Sequence, residues 1–181
     1  MSIPQKSIFI DHERCIKCNA CIVACKMEHS LPPYPTSPPF AELKGPNFIR
    51  VFQIGPEIKE GKVYQYFLAI PCLHCANPPC VLSCPTNAIS KRENGVMQVD
   101  GNRCIGCKFC LWACPYGAPQ FTPDGKMVLC DMCIERLNEG KKTACEAACV
   151  AKCIHVGTSD EISRITGQRA ASRVRRPTSI P

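Results

Sequence analysis

Residues 104–115 read CIGCKFCLWACP, and the spacing of their cysteines decides the fold. The cysteines follow the pattern C-x2-C-x2-C-x3-C, and a proline comes directly after the last of them. Residues 15–25 repeat this cysteine spacing, and the flanking residues also match, since Asp11 corresponds to Asp100. The chain therefore contains an internal repeat built around cysteine.

All but one of the seventeen cysteines fall into four groups. These groups are Cys15, Cys18, Cys21 and Cys25; Cys72, Cys75, Cys80 and Cys84; Cys104, Cys107, Cys110 and Cys114; and Cys130, Cys133, Cys145 and Cys149. The second and fourth groups correspond loosely, since each opens with C-x2-C and closes with C-x3-C. In that comparison the remaining cysteine, Cys153, takes the place of Ala88, which predicts a small packing residue and not a metal ligand.

This arrangement of thiols points to iron–sulfur clusters. A [4Fe–4S] cubane needs four thiolates, and one tight loop can supply three of them. The run C-x2-C-x2-C-x3-C-P is a bacterial [4Fe–4S] pattern whose fourth cysteine binds the other cluster of a pair. The four groups therefore predict four [4Fe–4S] clusters, with the sixteen grouped cysteines as iron ligands. A [3Fe–4S] or [2Fe–2S] cluster at one site is the alternative.

Zinc and disulfide bonds are the competing explanations for so many cysteines. Zinc sites typically combine two C-x2-C pairs, often with histidine, whereas only His74 among the four histidines lies inside a cysteine group. Disulfides are disfavoured because the cysteine count is odd and the N-terminal residues lack a secretory pattern. No apolar run approaches the ~20 residues of a membrane helix. We therefore expect a soluble, cytoplasmic protein, with export alongside a signal-bearing partner as the alternative.

The net charge of +7 gives a misleading first impression of the partners. A basic chain often binds nucleic acid or an anionic membrane. Four oxidised cubanes with their thiolates contribute about −8, however, and bring the chain to about −1. We therefore predict neither nucleic-acid binding nor direct membrane insertion.

Because the fourth cysteine of one group binds the cluster of another group, the four groups must form two pairs. The gap between the second and third groups holds one hairpin, with Asn94-Gly95 as its turn, so these two groups pair and the first pairs with the fourth. The predicted ligand sets are Cys72, Cys75 and Cys80 with Cys114; Cys84 with Cys104, Cys107 and Cys110; Cys15, Cys18 and Cys21 with Cys149; and Cys25 with Cys130, Cys133 and Cys145. Sequential pairing, first with second and third with fourth, is the rival.

The pairing predicts an α+β fold of tandem bacterial two-cluster ferredoxin-like modules, one nested inside the other, with an inserted β-hairpin. The expected divisions are 1–30 and 118–157 for the outer module, 31–70 for a proline-rich loop and the β-hairpin insert, 71–117 for the inner module, and 158–181 for a short helix and a basic tail. Within the insert, residues 31–40 predict a loop, and residues 48–54 and 63–70 predict two strands.

Several other residues carry their own expectations. Thr158 and Glu161 predict a capping box that opens a helix, and Gly167 predicts its end. Trp112 is expected to pack in the core, and His74 to cap a loop. Gly106 and Gly117 are expected to allow close approach of the backbone to a cluster. The arginines of the tail are expected to be solvated or to contact a partner.

With these motifs the chain resembles the four-cluster ferredoxin-type electron-transfer subunits of molybdopterin or tungstopterin oxidoreductases. That family includes subunits of dimethyl sulfoxide, polysulfide and tetrathionate reductases and of formate dehydrogenases, and it is related to small subunits of tungsten aldehyde oxidoreductases. The matching segments are residues 15–25, 71–89, 103–117 and 130–149. Lys26 and Val150 depart from the pattern, because they stand where proline follows the last cysteine of the other two groups.

The resemblance implies a function as well as a fold. It implies a linear row of clusters that relays single electrons between a catalytic molybdopterin or tungstopterin subunit and a redox partner, in anaerobic metabolism, with a further membrane or flavin subunit as an additional expectation. The chain is not expected to be an enzyme by itself, because an enzyme with a catalytic cluster needs an iron with an open position. A free-standing polyferredoxin-like soluble electron carrier is the alternative.

Overall fold

The structure is a computed structural model that describes residues 5–31 and 45–174. Its elements are short and alternate with the cysteine groups, as expected of an α+β fold. The strands are β1 Ser7–Ile10, β2 Ile49–Lys59, β3 Lys62–Pro71, β4 Ile89–Lys91, β5 Met97–Val99, β6 Gln120–Phe121, β7 Met127–Val128 and β8 Ile154–Gly157. The helices are α1 Ala20–Glu28, α2 Pro79–Leu82, α3 Phe109–Ala113, α4 Ile134–Asn138, α5 Ala144–Ala147 and α6 Ser159–Val174, with a 3-10 turn at His12–Arg14.

The first and last strands form one antiparallel ladder. Ser7 lies opposite Gly157 and Ile10 lies opposite Ile154. Because β1 precedes the first cysteine group and β8 follows the fourth, this ladder joins the two ends of the cysteine-containing region.

Two short hairpins separate the later cysteine groups. Strand β4 pairs with β5 and β6 pairs with β7, both antiparallel. The turn glycines Gly95 and Gly125 have φ angles of 83° and 80°, which a residue without a Cβ adopts at little cost. The hairpin of β4 and β5 confirms the turn that the sequence predicts at Asn94-Gly95.

The insert is a longer hairpin than the sequence predicts. Strands β2 and β3 contain 11 and 10 residues and turn at Glu60 and Gly61. The prediction ended the first strand at Ile54 because glycine and proline follow it. The structure instead continues past them through an irregularity in the ladder between Ile54 and Glu57. Of the predicted loop at 31–40, only Leu31 lies among the described residues.

The interior of the described chain contains two main apolar clusters, and cysteines make up a large part of each. One cluster combines thiols of the second and third groups with hairpin residues, including Cys72, Cys80, Cys104, Cys110, Ile89, Met97 and Met127. The other combines thiols of the first group with Cys153 and neighbours from the insert and β8, including Cys21, Cys25, Phe48, Ile49 and Ile154. A core with so few large side chains depends on what the thiols bind.

Helix α6 begins as predicted but ends later. The backbone N–H of Thr158 donates to Glu161 Oε2 at 2.7 Å, and Glu161 N–H donates to Thr158 Oγ1 at 3.4 Å, which confirms the capping box. The predicted end at Gly167 is wrong, since the helix runs through it to Val174. The cost of glycine in a helix interior, about 1 kcal/mol, is offset by contacts beyond it.

Those contacts come from two arginines of the predicted basic tail. Arg169 forms an ion pair with the buried Asp11, and Arg173 pairs with Glu13 at 2.7 Å. Both therefore contact the N-terminal segment of the same chain. The remaining tail arginines, Arg175 and Arg176, lie outside the described residues. Among the residues that are described, no helix is long and apolar enough to cross a membrane.

Substituting Thr158 tests the capping box. Thr158→Ala removes the acceptor of the Glu161 N–H, and we expect it to destabilise α6 by about 1 kcal/mol. Thr158→Ser keeps a hydroxyl and should lose little. Amide hydrogen exchange of residues 159–166 measures the difference, and equal exchange in the two variants would contradict the cap.

Candidate iron–sulfur centres

The described residues bring the sixteen grouped cysteines together in four places, here numbered sites 1 to 4. Site 1 contains Cys84, Cys104, Cys107 and Cys110. Site 2 contains Cys72, Cys75, Cys80 and Cys114. Site 3 contains Cys25, Cys130, Cys133 and Cys145. Site 4 contains Cys15, Cys18, Cys21 and Cys149.

Sites 1 and 2 are cavities between the second and third cysteine groups. The cysteines of site 1 come from the loop before α3, from α3 itself and from the residue that follows α2 by two positions. In site 2, Cys80 lies on α2 and Cys114 comes directly after α3. Each cavity therefore takes three thiols from one group and one thiol from the other.

Site 4 shows the same division between the first and fourth groups. Its cavity is lined by three thiols around the start of α1 and by Cys149, which lies just after α5. Cys153 lines this cavity too. The predicted role of Cys153 as a small buried residue fits its exposure of 3%, and its exclusion from the ligands stays a prediction.

Site 3 is identified by the effect that its thiols have on one another's pKa values. Burial raises the pKa of Cys25 well above its usual range, and Cys145 and Cys133 raise it further. Burial likewise raises the pKa of Cys130, with additional contributions from Cys145 and Cys25. The four thiols are thus close enough to repel one another as thiolates.

Packing places site 3 between the other sites. Cys130 of site 3 packs against the apolar cluster that contains the thiols of sites 1 and 2, and also against the cluster that contains Cys21 of site 4. Cys72 of site 2 also raises the pKa of Cys130. The arrangement of the sites in space therefore differs from the order of the groups in the sequence.

The donor sets fit [4Fe–4S] clusters. Each site offers four sulfur atoms, and all seventeen cysteines are free of disulfides. The cysteines would hold a cubane at each site through its four irons.

Burial controls the protonation of many of these thiols. It raises the pKa of Cys21 and of Cys72 to about 12, and that of Cys133 to about 11. Such thiols are protonated at neutral pH in the metal-free protein. Cluster binding therefore has to displace protons, and iron affinity depends on pH.

Backbone N–H groups point at the sulfur atoms in all four sites. Within the described chain these donors are His74 N–H to Cys72, Ala88 N–H to Cys84, Met127 N–H to Cys104, Ala118 N–H to Cys114, Met132 N–H to Cys130 and Cys153 N–H to Cys149, at 3.2 to 3.4 Å. Hydrogen bonds to cluster sulfurs are one control on reduction potential. At Cys84 burial alone would raise the pKa of the thiol, but hydrogen bonds to its sulfur outweigh it and lower that pKa.

Two single-residue expectations have clear outcomes. The prediction that Trp112 packs in the core is wrong, since the side chain is 85% exposed on α3. Its neighbours Cys110 and Cys114 face sites 1 and 2, so the intervening position of this short helix faces outward. His74 does cap a loop, because its Nδ1 accepts the N–H of Met97 at 3.0 Å.

Some polar neighbours of the sites carry no motif in the sequence. His29 Nε2 lies 3.5 Å from Cys133 Sγ, and Thr143 Oγ1 lies 3.5 Å from Cys145 Sγ. Lys91 and Lys126 donate from Nζ to the carbonyl oxygens of Cys75 and Cys104 respectively, at 2.8 and 2.6 Å. These contacts span up to 104 residues, so only the folded chain reveals them.

Comparison with known proteins follows the geometry. A family model described as a 4Fe–4S dicluster domain matches residues 63–159, and a second model with the same description matches residues 14–88. The chain belongs to the 4Fe–4S dicluster family. Since each dicluster domain accommodates two clusters, the two matches confirm the prediction of four [4Fe–4S] clusters.

Curated relatives of this dicluster protein are electron-transfer components. The B subunit of the anaerobic dimethyl sulfoxide reductase of Escherichia coli K12 is 39% identical over 92% of this chain and 80% of its own length. The iron–sulfur subunit of formate dehydrogenase from Wolinella succinogenes is 34% identical, over 96% and 91%. The thiosulfate reductase electron transfer subunit PhsB of Salmonella typhi is 36% identical, over 90% and 82%.

These relatives confirm the predicted family and the predicted role. The dicluster protein is an iron–sulfur electron-transfer subunit of an oxidoreductase and not the catalytic chain. It works with a catalytic partner subunit.

Gly106, within the dicluster motif, should be intolerant of a side chain. Its φ is 72°, and an added Cβ would lie 2.8 Å from the carbonyl oxygen of Gly125. We expect Gly106→Ala to lose about 2–4 kcal/mol, from left-handed strain together with the backbone clash. Thermal unfolding and iron content of the cluster-loaded protein measure the loss.

Gly125→Ala is the matched control for this substitution. Gly125 has a similar φ of 80°, but an added Cβ meets no atom within 4 Å. This variant should therefore show only the cost of left-handed strain, about 1–2 kcal/mol. Equal losses in the two variants would argue against close packing at Gly106.

Proposed function

We propose that this chain is the electron-relay subunit of a molybdopterin or tungstopterin oxidoreductase, and that single electrons pass along sites 1, 2, 3 and 4 in that spatial order. The single observation that carries the proposal is the position of Cys130, which packs both against the apolar cluster of sites 1 and 2 and against the cluster that contains Cys21 of site 4. Site 3 therefore joins the inner pair of sites to site 4.

We further propose that each site is one ligand set. The sets are Cys84, Cys104, Cys107 and Cys110; Cys72, Cys75, Cys80 and Cys114; Cys25, Cys130, Cys133 and Cys145; and Cys15, Cys18, Cys21 and Cys149. Support comes from the thiols that line the cavities at sites 1, 2 and 4. At site 3 it comes from the thiols that raise the pKa of Cys25. Sequential pairing would require Cys25 to share a site with Cys72 and Cys75.

The proposed modules are nested, with residues 71–117 inside an outer module formed by 1–30 and 118–157. The β1–β8 ladder supports this division, because it joins the segments that flank the outer groups. The separate apolar clusters around the inner and outer thiols support it as well. Residues 31–70 and 158–181 are then additions to the nested pair.

The protein's own residues account for the relay mechanism. Bound clusters supply one-electron redox chemistry. Four cysteines at each site leave no iron position open for substrate, which limits the chain to electron transfer. The surrounding apolar residues exclude water, the backbone N–H groups stabilise negative charge on the ligand sulfurs, and Lys91 and Lys126 add positive charge nearby.

Exposed apolar side chains at both ends of the row favour a docked subunit over a free-standing carrier. Ile105, which lines site 1, is 67% exposed. Beside site 4, Ile16 is 59% exposed, and Val150 next to Cys149 is 70% exposed. Grouped apolar exposure of this kind is typical of protein interfaces. A catalytic subunit at one end and a membrane or flavin subunit at the other would cover both regions.

The cellular location of the complex depends on whether the catalytic subunit carries an export signal. We propose a cytoplasmic location, with export alongside a signal-bearing catalytic subunit as the alternative. Fractionation of the native source, followed with antibody to this chain, distinguishes the two.

Double substitutions test the ligand sets directly. Cys72→Ala with Cys114→Ala should remove one cluster, about four irons, because both residues belong to site 2. Cys104→Ala with Cys114→Ala should remove about eight, because those residues belong to different sites. Iron and sulfide analysis of anaerobically purified full-length protein measures both. The opposite pattern would support uncrossed ligation within each group.

The same design separates nested from sequential pairing. Cys25→Ala with Cys130→Ala should cost about four irons, and Cys25→Ala with Cys72→Ala about eight. Cys153→Ala is the control and should keep the full content of about sixteen. If Cys25→Ala with Cys72→Ala removes only one cluster, the nested assignment is wrong.

Purification from the native source tests the role as a relay subunit. We expect this chain to co-purify with a larger pterin-containing subunit and to show no substrate turnover when isolated with its clusters intact. Mass spectrometry and pterin fluorescence identify the partner. Substrate conversion by the isolated chain would contradict a pure relay.

A further inference from the structure

Site 4 contains one thiol more than a cubane needs. Cys153 is 97% buried and lines the cavity together with the four proposed ligands. Its Sγ lies 3.4 Å from Cys149 Sγ, and its backbone N–H donates to the same sulfur at 3.3 Å. Two groups of Cys153, its thiol and its backbone N–H, therefore contact the sulfur of Cys149.

The equivalent positions at sites 1 and 2 show what is unusual here. Ala88 N–H donates to Cys84 Sγ at 3.2 Å, and Ala118 N–H donates to Cys114 Sγ at 3.4 Å. In each case the donor follows its cysteine by four residues, as Cys153 follows Cys149. Alanine offers only its backbone N–H at this position, whereas Cys153 adds a thiol.

The direction of the sulfur–sulfur contact follows from the ligand assignment. A cysteine that binds iron is a thiolate and can only accept a hydrogen bond. If Cys149 is a ligand, the proton between the two sulfurs therefore belongs to Cys153. The contact is then an S–H···S hydrogen bond directed at a ligand of site 4.

We propose that the Cys153 thiol donates a hydrogen bond to the Cys149 sulfur and thereby raises the reduction potential of the site 4 cluster. Such a bond withdraws electron density from the ligand and favours the reduced, more negative state of the cluster. The inference rests on the ligand set proposed above for site 4. Cys153 is accordingly a positioning residue that acts through Cys149.

The place of site 4 gives this hydrogen bond a role in the relay. Site 4 is one end of the proposed relay, and Cys145 of site 3 packs against the apolar cluster that contains Cys21 of site 4. A raised potential increases the share of time that an electron spends on the site 4 cluster. The hydrogen bond therefore shifts electrons toward this end of the relay, compared with a chain that has alanine at position 153.

Redox titration of the cluster-loaded full chain, monitored by electron paramagnetic resonance, tests the proposal. In Cys153→Ala one cluster should become harder to reduce, with its reduced-to-oxidised ratio at a fixed potential falling about two- to tenfold, the range of one net hydrogen bond. The other clusters should titrate as in the unmodified protein. Cys153→Ser keeps a donor of similar size and should restore most of the ratio.

The remaining outcomes separate this inference from the proposed function. An unchanged ratio in Cys153→Ala, with full iron content, overturns the inference alone. Loss of about four irons in Cys153→Ala also overturns it, because Cys153 would then be a ligand. Cys149→Ala should lose one cluster; if it keeps about sixteen irons, the ligand set of site 4 fails and the inference fails with it.

Should Cys153→Ala not accumulate, the serine variant is used with a second variant that lacks a donor. The serine variant is compared with Cys153→Val, which has no donor and, unlike alanine, fills the space of the thiol. The ratio for one cluster should fall in Cys153→Val and stay near that of the unmodified protein in Cys153→Ser; equal ratios in Cys153→Val and the unmodified protein, with full iron content, would overturn the proposal.

Discussion

A cubane needs sulfur on four sides, and at sites 1, 2 and 4 this chain meets the need with three thiols from one segment and one from a distant segment. Much else in the structure follows from that constraint. The helices near the thiols are brief because they need only turn one or two cysteines inward. The apolar clusters are rich in sulfur and poor in aromatic residues. Their cohesion therefore depends on iron as much as on hydrophobic burial.

The sequence predicts well wherever local chemistry decides. Cysteine spacing identified the cofactor, and Asn94-Gly95 identified a hairpin because that pair favours a tight turn. It predicts poorly where tertiary contact overrides propensity. Helix α6 passes Gly167 because Arg169 and Arg173 meet acidic residues more than 150 positions earlier. Trp112 points outward because the cysteines on either side of it take the inward positions of α3.

The arrangement of the sites in space shows a second limit of prediction from the sequence. Repeats in the sequence indicate which groups resemble each other, but proximity between groups depends on packing across the whole chain. Cys130 of the outer groups packs against the apolar cluster that contains Cys72 of the inner groups, yet no motif links these residues. Likewise the approach of His29 to Cys133 crosses 104 positions. Cysteine spacing therefore carries no information on the path between the sites.

The ladder between β1 and β8 also bears on biosynthesis. Ser7 can meet Gly157 only after nearly the whole chain has left the ribosome, whereas Cys72 and Cys114 are available together much earlier. Segments generally fold in the order in which they emerge. The thiols of sites 1 and 2 are therefore all synthesised once the chain reaches Cys114, whereas site 4 also needs Cys149. The inner pair of sites can thus be completed before the outer pair.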